Sequence, residues 1–159
     1  MEYSWHLIID AYKDTDTFNP FILAKYFNIE VNFLNPELIK QVYGISCLGD
    51  NIIFLNNELS DQKLMFTLAH EIIHTLNDTD SYHSNIESIC EKQANKGAIK
   101  LLVHFYFEIF SKETFTDIFT VMNSFGIPLH LENETRKQIY KYWNGEYSLS
   151  NVGYSSGAV

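Results

Sequence analysis

The sequence predicts an α+β fold, in which a small three-stranded sheet packs on a mainly helical domain. Three short apolar runs with strand signals lie close together between residues 29 and 56. On both sides of this region, apolar residues recur at the spacing of amphipathic helices. Gly49-Asp50-Asn51 separates two of the strand runs as a hairpin turn does, so we expect a sheet of the antiparallel type.

Length, charge and cysteine content limit the class of protein. The 159 residues suffice for one domain with a sizeable core, and 46% of them are apolar. Eleven Lys and Arg against twenty Asp and Glu give a formal charge of −9, which argues against direct nucleic acid binding. Two cysteines are typical of a reduced cytoplasmic protein, and no apolar run approaches the length of a membrane span. We expect one cytoplasmic domain over residues 1–147 and a mobile tail over residues 148–159. The sequence leaves the oligomeric state open.

The N-terminal half is expected to contain two helices and then the sheet. The first helix runs from Ser4 to about Lys13, and Asn19-Pro20 starts a second that ends near Phe27. Ile29, Val31 and Phe33 then alternate with polar residues as in a half-buried strand. The hairpin strands are Gly44–Leu48 and Ile52–Asn56, and the second is apolar on both faces, which indicates an inner position.

Four further helices are expected after the sheet. Ser60-Asp61 caps one that runs to about Leu76, and the capping box Ser84-Asn85-Ile86-Glu87 starts another that runs to about His104. The sheet and these two helices occupy about residues 18–104. Two C-terminal helices, near Ser111–Asn123 and Glu132–Trp143, occupy about residues 105–145.

The helix after the sheet carries the motif His70-Glu71-Ile72-Ile73-His74. Residues four apart share one face of a helix, so both imidazoles point the same way at a spacing that suits one metal ion. Glu71 lies beside them on the helix. There it can contact a water molecule on the metal but does not itself take a coordination position. H-E-x-x-H is typical of zinc peptidases, in which the Glu is the general base. Leu64, Leu68, Ile72 and Leu76 form an apolar row on the opposite side, which indicates that this face packs on the core.

A catalytic zinc site generally takes a third protein ligand, and two glutamates on the next helix are candidates. Glu87 has a competing role in the capping box, whereas Glu91 lies a turn deeper in the helix. Small residues follow Glu91 on the same face at Ala94 and Ala98, which allows this helix to approach the motif helix closely. We therefore prefer Glu91, and Asn95 is placed to accept a hydrogen bond from a ligand imidazole.

These two segments resemble the ImmA/IrrE metallopeptidases. The residues that carry the resemblance are Phe66-Thr67-Leu68-Ala69-His70-Glu71-Ile72-Ile73-His74, followed by Glu91-Lys92-Gln93-Ala94-Asn95. The upstream segment Pro20–Phe33 also looks like the family's helix and strand. The resemblance implies a zincin-like domain that binds one Zn²⁺ through His70, His74 and Glu91. It further implies a protein substrate, namely a helix-turn-helix repressor that ImmA-like proteins of phages and mobile elements cleave.

The sequence departs from the family pattern at three places. Ile73 stands where the family often has Gly, and Gly97-Ala98 stands where it often has Phe-Ala. Val103-His104 replaces a common Met-Pro. The site motifs themselves are intact, so these departures concern substrate fit more than metal binding.

The leading hypothesis is a zinc-dependent endopeptidase. Its oxyanion stabiliser is left open among Tyr82, His83, His104 and Tyr106, and the edge strand Gly44–Leu48 is a candidate for aligning an extended substrate. The alternative is a non-proteolytic antirepressor that holds a repressor on the same zinc scaffold. A third interpretation is a purely structural zinc site. Glu71 favours the peptidase, because neither alternative needs a general base.

Overall fold

A computed structural model describes residues 3–47, 49–78 and 89–146 of the chain. Within these ranges the chain forms three strands and six α-helices, together with single 3₁₀ turns at Lys112–Thr114 and Leu129–Leu131. The elements in chain order are α1 (Tyr3–Thr15), α2 (Pro20–Tyr26), β1 (Glu30–Leu34), β2 (Gly44–Cys47), β3 (Ile52–Asn56), α3 (Asp61–Leu76), α4 (Ile89–Ile109), α5 (Ile118–Phe125) and α6 (Glu132–Trp143). The predicted α+β class is confirmed.

The sheet has the order β1-β3-β2, so β3 is central as its apolar faces predicted. β2 and β3 form the predicted antiparallel hairpin, with Gly44 opposite Leu55. β1 pairs with β3 in parallel, with Glu30 opposite Ile52. The prediction of an antiparallel-type sheet was therefore wrong for one of the two pairings. The chain between β1 and β2 carries β2 to the far side of β3, and sequence alternation does not reveal that crossing.

Capping side chains set several of the helix boundaries. The Asn19 side chain accepts a hydrogen bond from the Phe21 N–H at the start of α2, and the Ser60 hydroxyl accepts one from the Lys63 N–H at the start of α3. α5 starts at Ile118 rather than near Ser111, because the Asp117 side chain caps it. The predicted capping box at residues 84–87 and the predicted tail at residues 148–159 lie outside the described residues.

α3 packs on its two sides against two different apolar clusters. Leu68 and Ile72 join Ile53 and Leu55 beneath the sheet. Phe66, Ala69 and Ile73 join a larger cluster made with the other helices. Both sides of α3 are therefore fixed by packing, which holds its cleft-facing residues in place. No helix in the described part of the chain is long and apolar enough to cross a membrane.

Candidate metal centre and active-site cleft

Two helices bring the three predicted ligand residues together. The Nε2 atoms of His70 and His74 on α3 lie 3.1 Å apart. On α4, Glu91 places Oε2 3.3 Å from the first of these atoms and Oε1 3.0 Å from the second. All the ligand atoms of the group lie within 4.8 Å of one another. Among the described residues, His70, His74 and Glu91 form a cluster that is placed to hold one metal ion.

The spacing and chemistry of the cluster fit zinc. Zinc bonds to nitrogen and oxygen are about 2.0–2.2 Å long, so tetrahedral geometry places neighbouring donor atoms about 3.3 Å apart. The observed separations of 3.0–3.3 Å match that spacing. Two imidazoles and one carboxylate form a ligand set that leaves a fourth position open. His74 is fully buried and Glu91 is partly exposed, so the cluster faces the cleft on its carboxylate side.

Electrostatics bind the cluster together. Hydrogen bonds with His70 and then His74 hold the pKa of the Glu91 carboxyl well below its usual range. Burial acts to lower the pKa of His70, but the hydrogen bond with Glu91 and the nearby charge of Glu71 outweigh it and raise this pKa. Two carboxylates, those of Glu71 and Glu91, thus lie beside the two imidazoles, an arrangement that favours a cation.

Glu71 lies in the same site but does not join the ligand cluster. Only 4% of its surface is exposed, and its Oε2 atom has no hydrogen-bond partner among the described residues. Its side chain packs against Gly44 of β2, where a methyl group would lie 3.1 Å from the Glu71 Cγ. A buried carboxylate with an unpartnered oxygen is suited to accept a proton from a water molecule in the cleft.

Asn95 lies one turn after Glu91 and lines the same cleft. Its side chain contributes to the raised pKa of His70 through hydrogen bonding. The buried Nδ1 atom of His70, however, has no partner that meets hydrogen-bond geometry in the described part of the chain. The structure thus places Asn95 beside the ligand imidazole without a well-formed hydrogen bond to Nδ1.

The site opens into a cleft of about 1060 Å³. Its lining includes the segment that leads into β2 and the end of α5 with the turn after it. Exposed apolar side chains lie in both of these segments, at Tyr43 in the first and Leu129 in the second. Other lining residues are Gln41, Val42, Ser60, Gln62, Lys63, Phe66, Thr67, Met122, Asn123, Gly126, Ile127, Pro128 and His130.

β2 is an edge strand that borders this cleft. The Asn56 N–H donates a hydrogen bond to the Tyr43 carbonyl, at 2.9 Å. Hydrogen-bonded and non-hydrogen-bonded pairs alternate along an antiparallel ladder, so Gly44 opposite Leu55 is a non-hydrogen-bonded pair. The N–H and C=O of Gly44 therefore point away from β3, on the edge that remains for a further strand.

The structure separates two of the four predicted oxyanion candidates from the cleft. His104 and Tyr106 lie in the helical core, where they pack against aromatic rings rather than line the cleft. Tyr82 and His83, like the alternative ligand Glu87, lie outside the described residues. Sequence reasoning missed Tyr43 and His130, which have no motif and reach the cleft only through the fold.

A known protein family covers the part of the chain that forms this site. The model of a peptidase family, described as the IrrE N-terminal-like domain, matches residues 24–135, which is more than half of the chain. The chain belongs to this family. Family membership confirms the predicted resemblance and supports metallopeptidase activity. The matched range spans the sheet, α3 and α4, and extends into α6. No curated protein and no solved structure matches the chain significantly.

Proposed function

We propose that the protein is a zinc-dependent endopeptidase that cleaves a helix-turn-helix repressor in the cytoplasm. One observation carries the catalytic part of the proposal. A cluster of two histidines and one glutamate lies in a cleft beside the buried carboxylate of Glu71, whose Oε2 atom has no hydrogen-bond partner in the described part of the chain.

His70, His74 and Glu91 would hold the ion. A bound zinc ion supplies Lewis acidity, which polarises a peptide carbonyl and makes a water molecule easier to deprotonate. Glu71 is the general base that takes the proton from this water. It then gives the proton to the amine that leaves when the peptide bond breaks. The fixed helix α3 keeps Glu71 beside the cluster throughout these proton transfers.

The cleft suits an extended protein segment. Its volume of about 1060 Å³ lies at the upper end of small-molecule pockets, which range over about 300–1000 Å³. The outward backbone groups of Gly44 offer hydrogen bonds to a substrate strand added at the edge of β2. The exposed side chains of Tyr43 and Leu129 in the cleft lining offer contacts to apolar substrate side chains.

The repressor class follows from the family resemblance, and the charge of the chain supports it. With a formal charge of −9, the protein attracts basic partners, and DNA-binding repressors are basic. Because electrostatic steering is screened by salt, we expect faster association with such a substrate at low ionic strength.

The test combines purified protein, zinc and a helix-turn-helix repressor encoded beside its gene. Mass spectrometry follows the repressor fragments that three forms of the protein produce. These forms are wild type, Glu71→Gln and the matched control Glu37→Gln, whose altered residue is exposed. General-base catalysis contributes about 10²- to 10⁴-fold, so Glu71→Gln should slow cleavage by that factor while retaining zinc. Glu37→Gln should cleave at the wild-type rate.

The antirepressor alternative gives a different pattern. A non-proteolytic binding protein would relieve repression equally with wild type and Glu71→Gln, and no fragment would appear. That result would reject the peptidase proposal while leaving the zinc cluster intact. A purely structural zinc site would show neither cleavage nor repressor binding.

A further inference from the structure

α3 and α4 approach each other closely at one pair of residues, Ile73 and Gly97. A methyl group at position 97 would lie 2.9 Å from both Cγ1 and Cγ2 of Ile73 and 3.0 Å from its Cδ1. These distances are shorter than van der Waals contact between carbon atoms, which is about 3.5–4.0 Å. The backbone of α4 at Gly97 therefore rests directly on the Ile73 side chain.

Local rearrangement does not relieve this contact. Cγ1 and Cγ2 occupy the two positions on the Ile73 Cβ that face residue 97. The third position carries the single hydrogen, so every staggered rotamer keeps at least one carbon branch against residue 97. Ile73 is 1% exposed within the large core cluster that the helices form, so the surrounding buried side chains leave it little room to move away. A larger residue at position 97 would have to displace the helix itself.

This contact adjoins the metal cluster on both helices. Ile73 immediately precedes the ligand His74 on α3. Gly97 follows the ligand Glu91 by six residues on α4, which corresponds to about 9 Å along a helix. Glu91 reaches His74 across a gap of 3.0 Å, so its position depends on how closely α4 approaches α3. The separation of the two helices is therefore also a property of the metal site.

We propose that Ile73 and Gly97 are positioning residues, whose contact sets the separation of α3 and α4 at which Glu91 shares one ion with His70 and His74. The inference rests on the zinc site of the proposed function. Both residues stand at departures from the family pattern, and the structure places them against each other. A branched side chain at 73 and no side chain at 97 are sterically complementary.

The test measures zinc affinity and folding stability separately. Zinc affinity is measured by competition with a chromophoric chelator. The free energy of unfolding is measured in excess chelator, where zinc does not contribute. Gly97→Ala should weaken zinc binding by about 10- to 100-fold, the range found when groups that support metal ligands are altered.

A compensating variant and a matched control complete the design. Ile73→Ala removes the three atoms that a methyl group at 97 would meet, so Ile73→Ala/Gly97→Ala should bind zinc within about threefold of wild type. Its core cavity should nevertheless lower the unfolding free energy. Ile139→Ala on α6, 3% exposed, should lower the unfolding free energy by about 2–5 kcal/mol with unchanged zinc affinity.

The outcomes separate this inference from the proposed function. Zinc affinity within twofold of wild type in Gly97→Ala, or no recovery in the double variant, would overturn the inference alone. If wild type binds no zinc, the proposed function and the inference both fail. If Gly97→Ala does not fold, the double variant carries the test. If the double variant binds zinc with near-wild-type affinity despite its lower stability, the result supports a contact that sets the helix separation. A tenfold loss of zinc affinity in the double variant overturns the inference.

Discussion

His70 and His104 are both largely buried on helices, yet their surroundings shift their pKa values in opposite directions. Burial acts to lower both values. At His70, hydrogen bonding to Glu91 and the charge of Glu71 outweigh burial and raise the pKa. At His104, burial prevails and lowers the pKa to about 4. Neighbouring carboxylates thus distinguish a histidine that faces a cation site from one that belongs to the core.

The core histidine lies inside an aromatic cage. Its ring centre is 4.8 Å from that of Trp5, 5.0 Å from that of Phe18 and 4.9 Å from that of Tyr142. Its Nδ1 lies 2.8 Å from the Lys100 carbonyl, so Nδ1–H donates to that oxygen. Burial among these rings removes the imidazole from water, which favours its neutral form, and the nearby Lys100 charge further disfavours protonation. His104 therefore supports the fold and not the cleft.

The largest expected effect concerns the pH dependence of folding at His104. Its pKa is about 4 in the folded protein against 6.5 ordinarily, so its contribution to stability is complete above pH 6.5. That contribution is lost as the pH falls from 6.5 towards 4, and the total is up to about 3 kcal/mol. Urea unfolding in the presence of chelator, at pH 7.5 and at pH 4.5, measures the free energy of unfolding. Between these two pH values it should fall more for wild type than for His104→Phe. Equal losses in the two proteins would contradict this assignment.

The second effect concerns zinc-linked stability. Zinc at 100 times its dissociation constant should raise the unfolding free energy by about 2.7 kcal/mol, provided that the unfolded chain does not bind it. His104→Phe should respond fully, whereas His74→Ala should not respond, because His74 belongs to the cluster and His104 does not. Thermal unfolding with and without zinc measures the difference. A normal zinc response of His74→Ala would show that the ion binds elsewhere.

The smallest expected effect concerns Gly44, which lies against Glu71. A methyl group there would be 2.7 Å from the Thr67 Cγ2 and 3.1 Å from the Glu71 Cγ, so Gly44→Ala should displace the base by a few tenths of an ångström. We expect stability to fall by about 1 kcal/mol and turnover to fall about tenfold. Zinc affinity should stay unchanged, because the atoms that a methyl group at 44 would meet first belong to Thr67, Glu71 and Leu55, none of which is a metal ligand. A loss of zinc affinity as large as the loss of turnover would contradict the assigned contact between Gly44 and Glu71.

The sequence predicted the elements well because their signals are local. Ser60 marks the start of α3 and Asn19 that of α2, and the apolar faces of β3 indicated its central place. The spacing of His70 and His74 likewise placed both imidazoles on one side of a helix. Each of these signals depends on a few neighbouring residues.

Contacts between distant segments left no such signal. The parallel pairing of β1 with β3 depends on the path of the chain rather than on alternation. His104 was considered for the cleft because sequence alone does not reveal Trp5 and Tyr142 around it. The close approaches at Gly44 and Gly97 also required the packed structure.

The most direct test of the zinc cluster is the metal content of the purified protein. Wild type and Glu91→Gln are each incubated with limiting zinc and passed through gel filtration. Inductively coupled plasma mass spectrometry then measures the zinc content per chain of both proteins. Replacing the carboxylate keeps the side chain's shape but removes the charge that joins α4 to the two histidines. The two-helix site predicts one zinc ion per wild-type chain and little in Glu91→Gln. Equal zinc in both proteins, or none in wild type, would contradict it.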